Sequence, residues 1–334
     1  MKRLYIYIIM NTEGITIKYD TSSNEVISNV EKISTIDEKI KTNDTIKHIV
    51  ISGGGIIGFA QYGVLRESNL RGLWSFENIE SIYGTSIGSI LGVFLSLKFE
   101  WSVLDDYIIK RPWQNVINFT MYSIIQSFES RGILNIKIIE DILAPVLRAK
   151  NIDINVTMRE FYELTNIELH IFVTELNNFN IIDICYIDFP DWKLVDAVYA
   201  SCSIPIIFAP LLKDSKCYID GGFILNYPLY PCIQSGKDPN EILGICQNMG
   251  KIQTITIDNT STLFDFIFSI FNKITVNILN NHRNDNLKYG IVLNTTRLGI
   301  YDIFEFASSK EKRIEMVDYG VNQCIEFIST IELK

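Results

Sequence analysis

The chain has 334 residues, of which 47% are hydrophobic and 21% are charged. This composition is typical of a folded globular protein and argues against wholesale disorder. The net charge of -9 argues against nucleic-acid binding and provides no general attraction to an anionic membrane, so contact with lipid would have to be apolar.

The first 44 residues predict an N-terminal extension outside the main domain. Residues 4–10 and 15–19 have the pattern of a hairpin, and residues 20–44 contain few large apolar side chains. The apolar start is short, rich in β-formers and lacks a small-residue cleavage site, so we interpret it as a strand and not as a signal peptide. Since no apolar run reaches the ~18 residues of a membrane-spanning helix, we expect a cytoplasmic protein.

The core is predicted to begin with a buried strand at residues 46–51 that runs into a glycine loop and then a helix over residues 59–71. The loop reads Ser52-Gly53-Gly54-Gly55-Ile56-Ile57-Gly58. Backbone N–H groups at a helix N-terminus converge on one point and favour an anion. The loop therefore predicts an anion cradle.

Three interpretations of this loop compete. Gly53, Gly55 and Gly58 match a dinucleotide fingerprint, which on its own is weak evidence. A phosphate-binding P-loop is excluded because Phe59 and Ala60 stand where Lys and Ser/Thr are needed. The third interpretation is an oxyanion hole beside a nucleophile, which we favour because it also uses the motif that follows.

That motif is a G-x-S-x-G sequence formed by Gly84, Ser86 and Gly88. It lies between an apolar strand pattern at residues 79–83 and an apolar helix pattern at residues 89–99, which is the strand-turn-helix setting of a nucleophilic serine. Glycine and serine are also common at ordinary helix starts. Ser86 is nevertheless the candidate nucleophile.

The middle of the chain predicts helices and then two strands. Residues 101–130 are aromatic-rich and mostly helical with a break at Pro112, and another helix is expected from Arg131 through Leu147. Residues 167–174 and 181–189 predict buried strands.

Two further motifs follow. Residues 200–210 form a small-residue turn with two prolines, and Asp220 ends a strand pattern directly before Gly221 and Gly222. A D-G-G sequence is often only a turn. An acid within reach of Ser86 would also be able to take its proton.

A Ser-His-Asp triad is the alternative to a serine activated by an aspartate alone. The order Ser86, Asp220, His282 is that of α/β-hydrolases, but His282 lies in a polar run typical of solvated surface. His48 and His170 lie in strand patterns and are interpreted as structural. These positions argue against a triad with any of the three histidines.

The chain resembles patatin-like phospholipases, a family of lipid acyl hydrolases, over residues 46–228. The resemblance depends on four ordered blocks, residues 52–58, 84–88, 200–210 and 220–228. It implies a three-layer α/β/α fold with a central, largely parallel sheet and hydrolysis of fatty-acyl esters by a Ser-Asp dyad without a cofactor or metal. It also implies a phospholipid or other acyl-lipid substrate and peripheral membrane contact.

Carried over block by block, the resemblance makes Ser86 the nucleophile and Asp220 its base. It assigns the oxyanion hole and the supporting turns to glycines, namely Gly53, Gly54 and Gly55 for the hole and Gly58, Gly84, Gly88, Gly221 and Gly222 for the turns. Many members carry Lys or Arg where this chain has Ile57, so a cationic contribution is in doubt. A catalytically weak lipid-binding or interaction module remains an alternative.

The cysteines show no metal or disulfide pattern. All six lie in the second half of the chain without a C-x-x-C pair or regular spacing, so we expect reduced thiols and neither zinc nor a disulfide framework.

Beyond the four blocks the sequence predicts two helical segments. Residues 263–279 are expected to form a phenylalanine-rich core helix, with an acyl-chain or membrane-resting face at Phe268 and Phe271 as the alternative. Residues 311–331 predict an amphipathic helix on the sheet edge. The predicted domains are an extension at 1–44, the phospholipase-like domain at 45–300 and a helical segment at 301–334.

Overall fold

The computed structural model describes residues 6–11, 14–19, 45–117, 121–248, 257–259, 261, 266, 269–270, 287–294 and 300–332. The chain divides into two compact units, residues 1–39 and residues 40–334. In the first unit, β1 (Ile6–Asn11) pairs with β2 (Gly14–Tyr19) as an antiparallel hairpin, which confirms the predicted pairing of strands there.

The second unit alternates strands and helices. Its strands are β3 (His48–Ile51), β4 (Ser81–Thr85), β5 (Gly132–Leu134), β6 (Glu168–Glu175), β7 (Asn180–Ile184), β8 (Ile206–Phe208), β9 (Leu211–Lys213), β10 (Lys216–Asp220), β11 (Ile242–Asn248) and β12 (Tyr289–Asn294). Its helices are α1 (Gly58–Leu70), α2 (Ile87–Ser96), α3 (Trp101–Asp105), α4 (Met121–Ser130), α5 (Lys137–Ala149), α6 (Met158–Thr165), α7 (Leu194–Cys202), α8 (Leu229–Gln234), α9 (Ile300–Ser308) and α10 (Lys310–Glu332).

One sheet organises this unit, with the strand order β12-β11-β3-β4-β6-β10-β9 and β7 paired to β6. The strands from β12 to β6 are parallel, whereas β7, β9 and β10 pair antiparallel. Every residue of β3 and β4 is buried, as expected for parallel strands covered on both faces.

Both faces of the sheet carry helices. The larger hydrophobic core joins one face to α1, α2, α5, α7 and α10. A smaller core on the other face joins Val50, Tyr83 and Phe172 of the strands to Leu229 and Cys232 of α8. The predicted three-layer α/β/α fold with a central, largely parallel sheet is therefore confirmed.

Two strands, β4 and β10, pair one after the other along the same edge of β6. Residues 171–172 of β6 pair with both β4 and β7, and residues 173–175 pair with both β10 and β7. Since a strand has only two edges, β4 and β10 share the edge opposite β7. The register pairs Thr85 with Phe172 and Asp220 with Val173, so the last residues of β4 and β10 meet.

The prediction of a helix starting at Arg131 was wrong. Arg131 has φ of 66°, which breaks a helix, and Gly132 begins β5, which pairs with β8. A Cβ on Gly132 would lie 2.1 Å from the Ala209 nitrogen, so this pairing needs a glycine. The helix begins only at Lys137, whose N–H donates to Asn135 Oδ1 at 2.9 Å.

Two other predicted elements are shorter than expected. In residues 101–130, α3 ends at Asp105 and continues as a wider helical turn over residues 106–110, and the break at Pro112 is present. The strand predicted for residues 181–189 ends at Ile184, where the chain turns away from β6.

The predicted helix at residues 311–331 is present as α10, and it packs along α1 as well as contacting the edge strand β12. The two helices approach closely at glycines, because a Cβ on Gly63 would lie 2.2 Å from Val317 O and one on Gly320 would lie 1.9 Å from Ala60 O. Ala60 and Gly63 belong to the helix that follows the glycine loop. The packing of α10 on α1 therefore stabilises the helix into which the glycine loop leads.

Arg313 of α10 is 2% exposed and has no carboxylate among its hydrogen-bond partners in the described region. Its guanidinium instead donates to the main-chain carbonyls of Ile109, Arg111, Phe306 and Ala307. Five donors in a planar fork suit this role. Arg313 thus ties α10 to the segment that follows α3.

The structure does not test two further predictions. Most of residues 263–279, including Phe268 and Phe271, lie outside the described residues. The domain boundaries at residues 44 and 300 also stay predictions. Among the helices that are described, none is both long and apolar enough to cross a membrane.

We predict that Gly320→Ala destabilises the protein by about 1–3 kcal/mol, because the added methyl group overpacks the contact with α1. Helix propensity alone would favour alanine by about 1 kcal/mol. Urea unfolding measures the change, with Glu315→Ala at an exposed position of the same helix as the control. A Gly320→Ala protein as stable as the wild type would contradict the close packing.

Candidate active site

Ser86 stands at a sharp turn between β4 and α2. Its φ of 55° and ψ of −125° lie outside the regions that non-glycine residues prefer, which is the strain expected of a nucleophile elbow. A Cβ on Gly84 would lie 2.5 Å from Gly88 O, and one on Gly88 would lie 2.4 Å from Ile51 O. Ser86 thus carries the unusual backbone angles itself, and the flanking glycines provide the space for the turn.

Ser201 holds the Ser86 backbone in this conformation. The Ser86 N–H donates to Ser201 Oγ at 2.8 Å, and the Ser201 hydroxyl donates to Phe172 O at 2.7 Å. Ser89 Oγ also donates to Ser86 O at 2.6 Å. In the sequence, Ser201 is distinguished only as part of a small-residue turn, which predicts no role for its side chain. The clustering of small residues there is the signal for close packing against the elbow.

The glycine loop lies directly beside the nucleophile. A Cβ on Gly53 would lie 3.2 Å from Ser86 Cβ. The Gly53 N–H donates to Asn226 O at 2.9 Å and is therefore already used. No acceptor in the described part of the chain is found for the N–H groups of Gly54 and Gly55, and Gly55 has φ of 58°. Of the three predicted oxyanion-hole glycines, Gly54 and Gly55 keep donors available.

Asp220 ends β10 and is 4% exposed. Its Oδ1 accepts from the Gly222 N–H at 2.7 Å, and its Oδ2 has no partner in hydrogen-bond geometry among the described residues. Burial raises the pKa of Asp220 to about 6, while the nearby Ser86 side chain and the Gly222 N–H lower it. The structure thus brings Ser86 to a buried carboxyl group with a free acceptor oxygen.

Asn226 connects the glycine loop to the aspartate turn, a role that its place in the block at residues 220–228 does not predict. Besides accepting from the Gly53 N–H, it donates from Nδ2 to Gly53 O at 3.3 Å. Its Oδ1 would lie 2.5 Å from a Cβ on Gly53 and 2.8 Å from one on Gly222. Side chains at either glycine would therefore push the two halves of the site apart.

The remaining supporting glycines also sit at close contacts. A Cβ on Gly58 would lie 2.2 Å from Ile87 Cγ1, and one on Gly221 would lie 2.2 Å from Phe172 O. Ile57, at the position where the resemblance implies a basic residue, is 2% exposed and packs in the larger core. It provides no cation to the site.

The two histidines in the described part of the chain have partners away from Ser86. His48 Nδ1 lies 2.7 Å from Ser81 Oγ at the amino ends of β3 and β4, whereas Ser86 follows the carboxyl end of β4. His170 Nδ1 lies 2.8 Å from Asp183 Oδ2. His282 lies outside the described residues. Neither described histidine is positioned as the base of a triad with Ser86.

The chain is similar to several known proteins. A family model described as "Patatin-like phospholipase" matches residues 49–233. The "Uncharacterized protein R571" of Acanthamoeba polyphaga mimivirus is 29% identical over 184 residues, which are 55% of this chain and 60% of that protein. The "Probable lipid hydrolase 463L" of Invertebrate iridescent virus 6 is 26% identical over 198 residues, which are 58% of this chain and 66% of that protein.

The matches therefore span less than two thirds of either viral relative. Among solved structures, VipD from Legionella pneumophila superposes with a TM-score of 0.52 at 14% identity, covering 99% of this chain and 71% of that one. At this identity the likeness concerns the fold. Because the family model covers more than half of its length, the chain belongs to the patatin-like phospholipase family.

Proposed function

We propose that this protein hydrolyses fatty-acyl esters of phospholipids or related lipids through an acyl-enzyme on Ser86, with Asp220 as the base. The observation that carries the proposal is the meeting of β4 and β10 on one edge of β6. The strained serine then lies next to a buried carboxyl group whose Oδ2 has no partner in hydrogen-bond geometry among the described residues.

In the proposed reaction, Ser86 Oγ attacks the ester carbonyl carbon while Asp220 accepts the hydroxyl proton. Serine is a poor nucleophile at its own pKa and needs such a base. The oxyanion that forms would accept hydrogen bonds from the N–H groups of Gly54 and Gly55. The tetrahedral intermediate then expels the alcohol, which takes the proton from Asp220. Water activated by Asp220 attacks the acyl-enzyme and releases the fatty acid.

The lipid substrate is inferred from the family and from the name of one viral relative, "Probable lipid hydrolase 463L". The reaction would be of the phospholipase A type and would need peripheral contact with a membrane or a lipid aggregate. Since the net charge is -9, we expect that contact to be apolar.

A lipid-binding module without catalysis is the second candidate. It is favoured by one observation, the apolar Ile57 at the loop position where the resemblance to the family implies a basic residue. A dinucleotide site on Gly53, Gly55 and Gly58 fits less well, because Asn226 and Ser86 crowd Gly53 and would obstruct the approach of a pyrophosphate. Covalent labelling of the serine separates the hydrolase from both alternatives.

We predict that a fluorescent fluorophosphonate labels the wild type and that Ser86→Ala and Asp220→Asn abolish labelling. Hydrolysis of phosphatidylcholine vesicles, measured as released fatty acid, should fall by at least about 10⁴-fold in either variant and little further in the double variant, because the two residues act as a unit.

Two controls make this test specific. Ser96→Ala changes a buried serine at the end of α2, whose hydroxyl donates to Gly92 O, and it should leave labelling intact. His282→Ala should do the same. Labelling that persists in folded Ser86→Ala, or a folded wild type that resists the probe and hydrolyses no short-chain ester, would sink the hydrolase proposal.

We predict an acidic limb in the pH profile of kcat/KM. The pKa of Asp220 is raised to about 6 by burial, and only its ionised form can accept the serine proton, so the rate should fall about tenfold per pH unit below that value. Initial rates on a soluble short-chain ester measure the limb, with circular dichroism at each pH to show that the protein stays folded. A rate that is flat between pH 5 and 8 would rule out this base.

We also predict that Asp220→Asn stabilises the protein above pH 6, by on the order of 2 kcal/mol. Asp220 has an ordinary pKa of 3.8 that burial raises to about 6, so the wild type loses stability as the pH rises between these values. The asparagine does not titrate and avoids that loss. Urea unfolding at pH 4 and pH 8 measures the difference, and the exposed Asp191→Asn serves as control. An equal effect at both pH values would contradict the raised pKa.

A further inference from the structure

A second group of reactive side chains lies on the β6–β7 hairpin, outside the residues assigned to the active site. His170 is on β6, Asp183 is on β7, and Cys185 directly follows β7. The register pairs Phe172 with Asp183 and Ile171 with Ile184, so residue 170 faces residue 185 at the next position. Because alternate residues of a strand share a face, the three side chains project from the same side of the hairpin.

Their polar atoms converge. One nitrogen, one carboxylate oxygen and one sulfur from His170, Asp183 and Cys185 all lie within 4.8 Å of one another. His170 is 8% exposed and Cys185 is 2% exposed, and the ring of Tyr83 stacks on that of His170 with centroids 4.1 Å apart. The cluster is therefore set against the apolar packing of the smaller core.

Hydrogen bonding alone does not account for this arrangement. The bond from His170 Nδ1 to Asp183 Oδ2 is 2.8 Å long, yet Asp183 Oδ1 is buried without a partner among the described residues. The Cys185 thiol makes a 3.7 Å contact with Asp188 Oδ2. A buried carboxylate oxygen without a partner is unfavourable, and it points to a ligand that the three side chains would share.

We infer that His170, Asp183 and Cys185 form a binding site for Zn²⁺. Zinc accepts imidazole nitrogen, carboxylate oxygen and thiolate sulfur together, which harder cations such as Mg²⁺ do not. Tetrahedral bonds of about 2.0–2.3 Å require ligand atoms about 3.3–3.8 Å apart, which small side-chain movements reach from the present separations. Cys185 would bind as the thiolate and release its proton to solvent.

The surroundings of the three side chains give a zinc ion access from solvent and room for a fourth ligand. The Asp183 side chain is 33% exposed, which gives an entry path from solvent. Asp188 Oδ2 lies 3.7 Å from the Cys185 sulfur but outside the cluster of three ligand atoms, so a water molecule would fill the fourth position. An ion held by both strands would join β7 to β6, the strand on which β4 and β10 meet. The site is thus structural and does not depend on the proposed hydrolase activity.

Metal content tests this proposal on the full chain. Protein stripped with EDTA and dialysed against Zn²⁺ should retain one zinc per chain by elemental analysis. Co²⁺ in place of zinc should give a thiolate-to-cobalt charge-transfer band and the visible bands of tetrahedral cobalt. Cys185→Ser and His170→Asn should each weaken zinc binding by at least about 100-fold, and Cys185→Ser should also lose the charge-transfer band. Cys217→Ser, which changes a cysteine outside the cluster, should retain both properties.

Two results would overturn the proposal. One is a folded wild type that gives up its zinc on dialysis and shows no sulfur-to-cobalt band. The other is a Cys185→Ser protein that binds zinc as tightly as the wild type does. Should either variant fail to fold, the cobalt spectrum of the wild type decides, because it reports a sulfur ligand without any substitution.

Discussion

The end-to-end contact of β4 and β10 along β6 is the constraint on which the candidate site depends. Phe172 and Val173 are adjacent residues of one strand, and they pair with Thr85 and Asp220 respectively. The two strands approach from opposite directions, one parallel and one antiparallel. The separation of nucleophile and acid is therefore set by main-chain hydrogen bonds to two neighbouring residues, and a shift of either strand by one residue would turn its side chains to the other face.

The site combines two unfavourable features that the surrounding contacts maintain. A non-glycine residue with φ of 55° is strained by about 1–3 kcal/mol. Asp220 is buried, and within the part of the chain that the structure describes one of its oxygens has no hydrogen-bond partner. Ser201 fixes the first feature through hydrogen bonds to both β6 and the elbow. Asn226 fixes the position of the glycine loop relative to the aspartate turn. An acceptor without a partner and a constrained hydroxyl are what proton transfer between them requires.

Most of the fold and the positions of Ser86 and Asp220 could be predicted from the sequence, because buried parallel strands are short apolar runs and glycine-flanked motifs mark their ends. The roles of residues that depend on tertiary contacts could not be predicted from the sequence. The Gly53 N–H differs from those of Gly54 and Gly55 only because Asn226 accepts from it. Gly132 resembles a helix start in sequence, and only its contact with β8 makes it a strand. The cluster of His170 and Cys185 likewise arises from a hairpin register that irregular cysteine spacing does not reveal.

The packing of α10 on α1 also bears on the order in which the protein is assembled during synthesis. The glycine loop leads directly into α1, and the opposite side of that helix is covered at Ala60 and Gly63 by residues 310–332. Ser86 and Asp220 leave the ribosome well before this covering segment does. Until it arrives, that side of α1 is exposed to solvent, so the N–H donors of the glycine loop are among the last parts of the site to gain their final support.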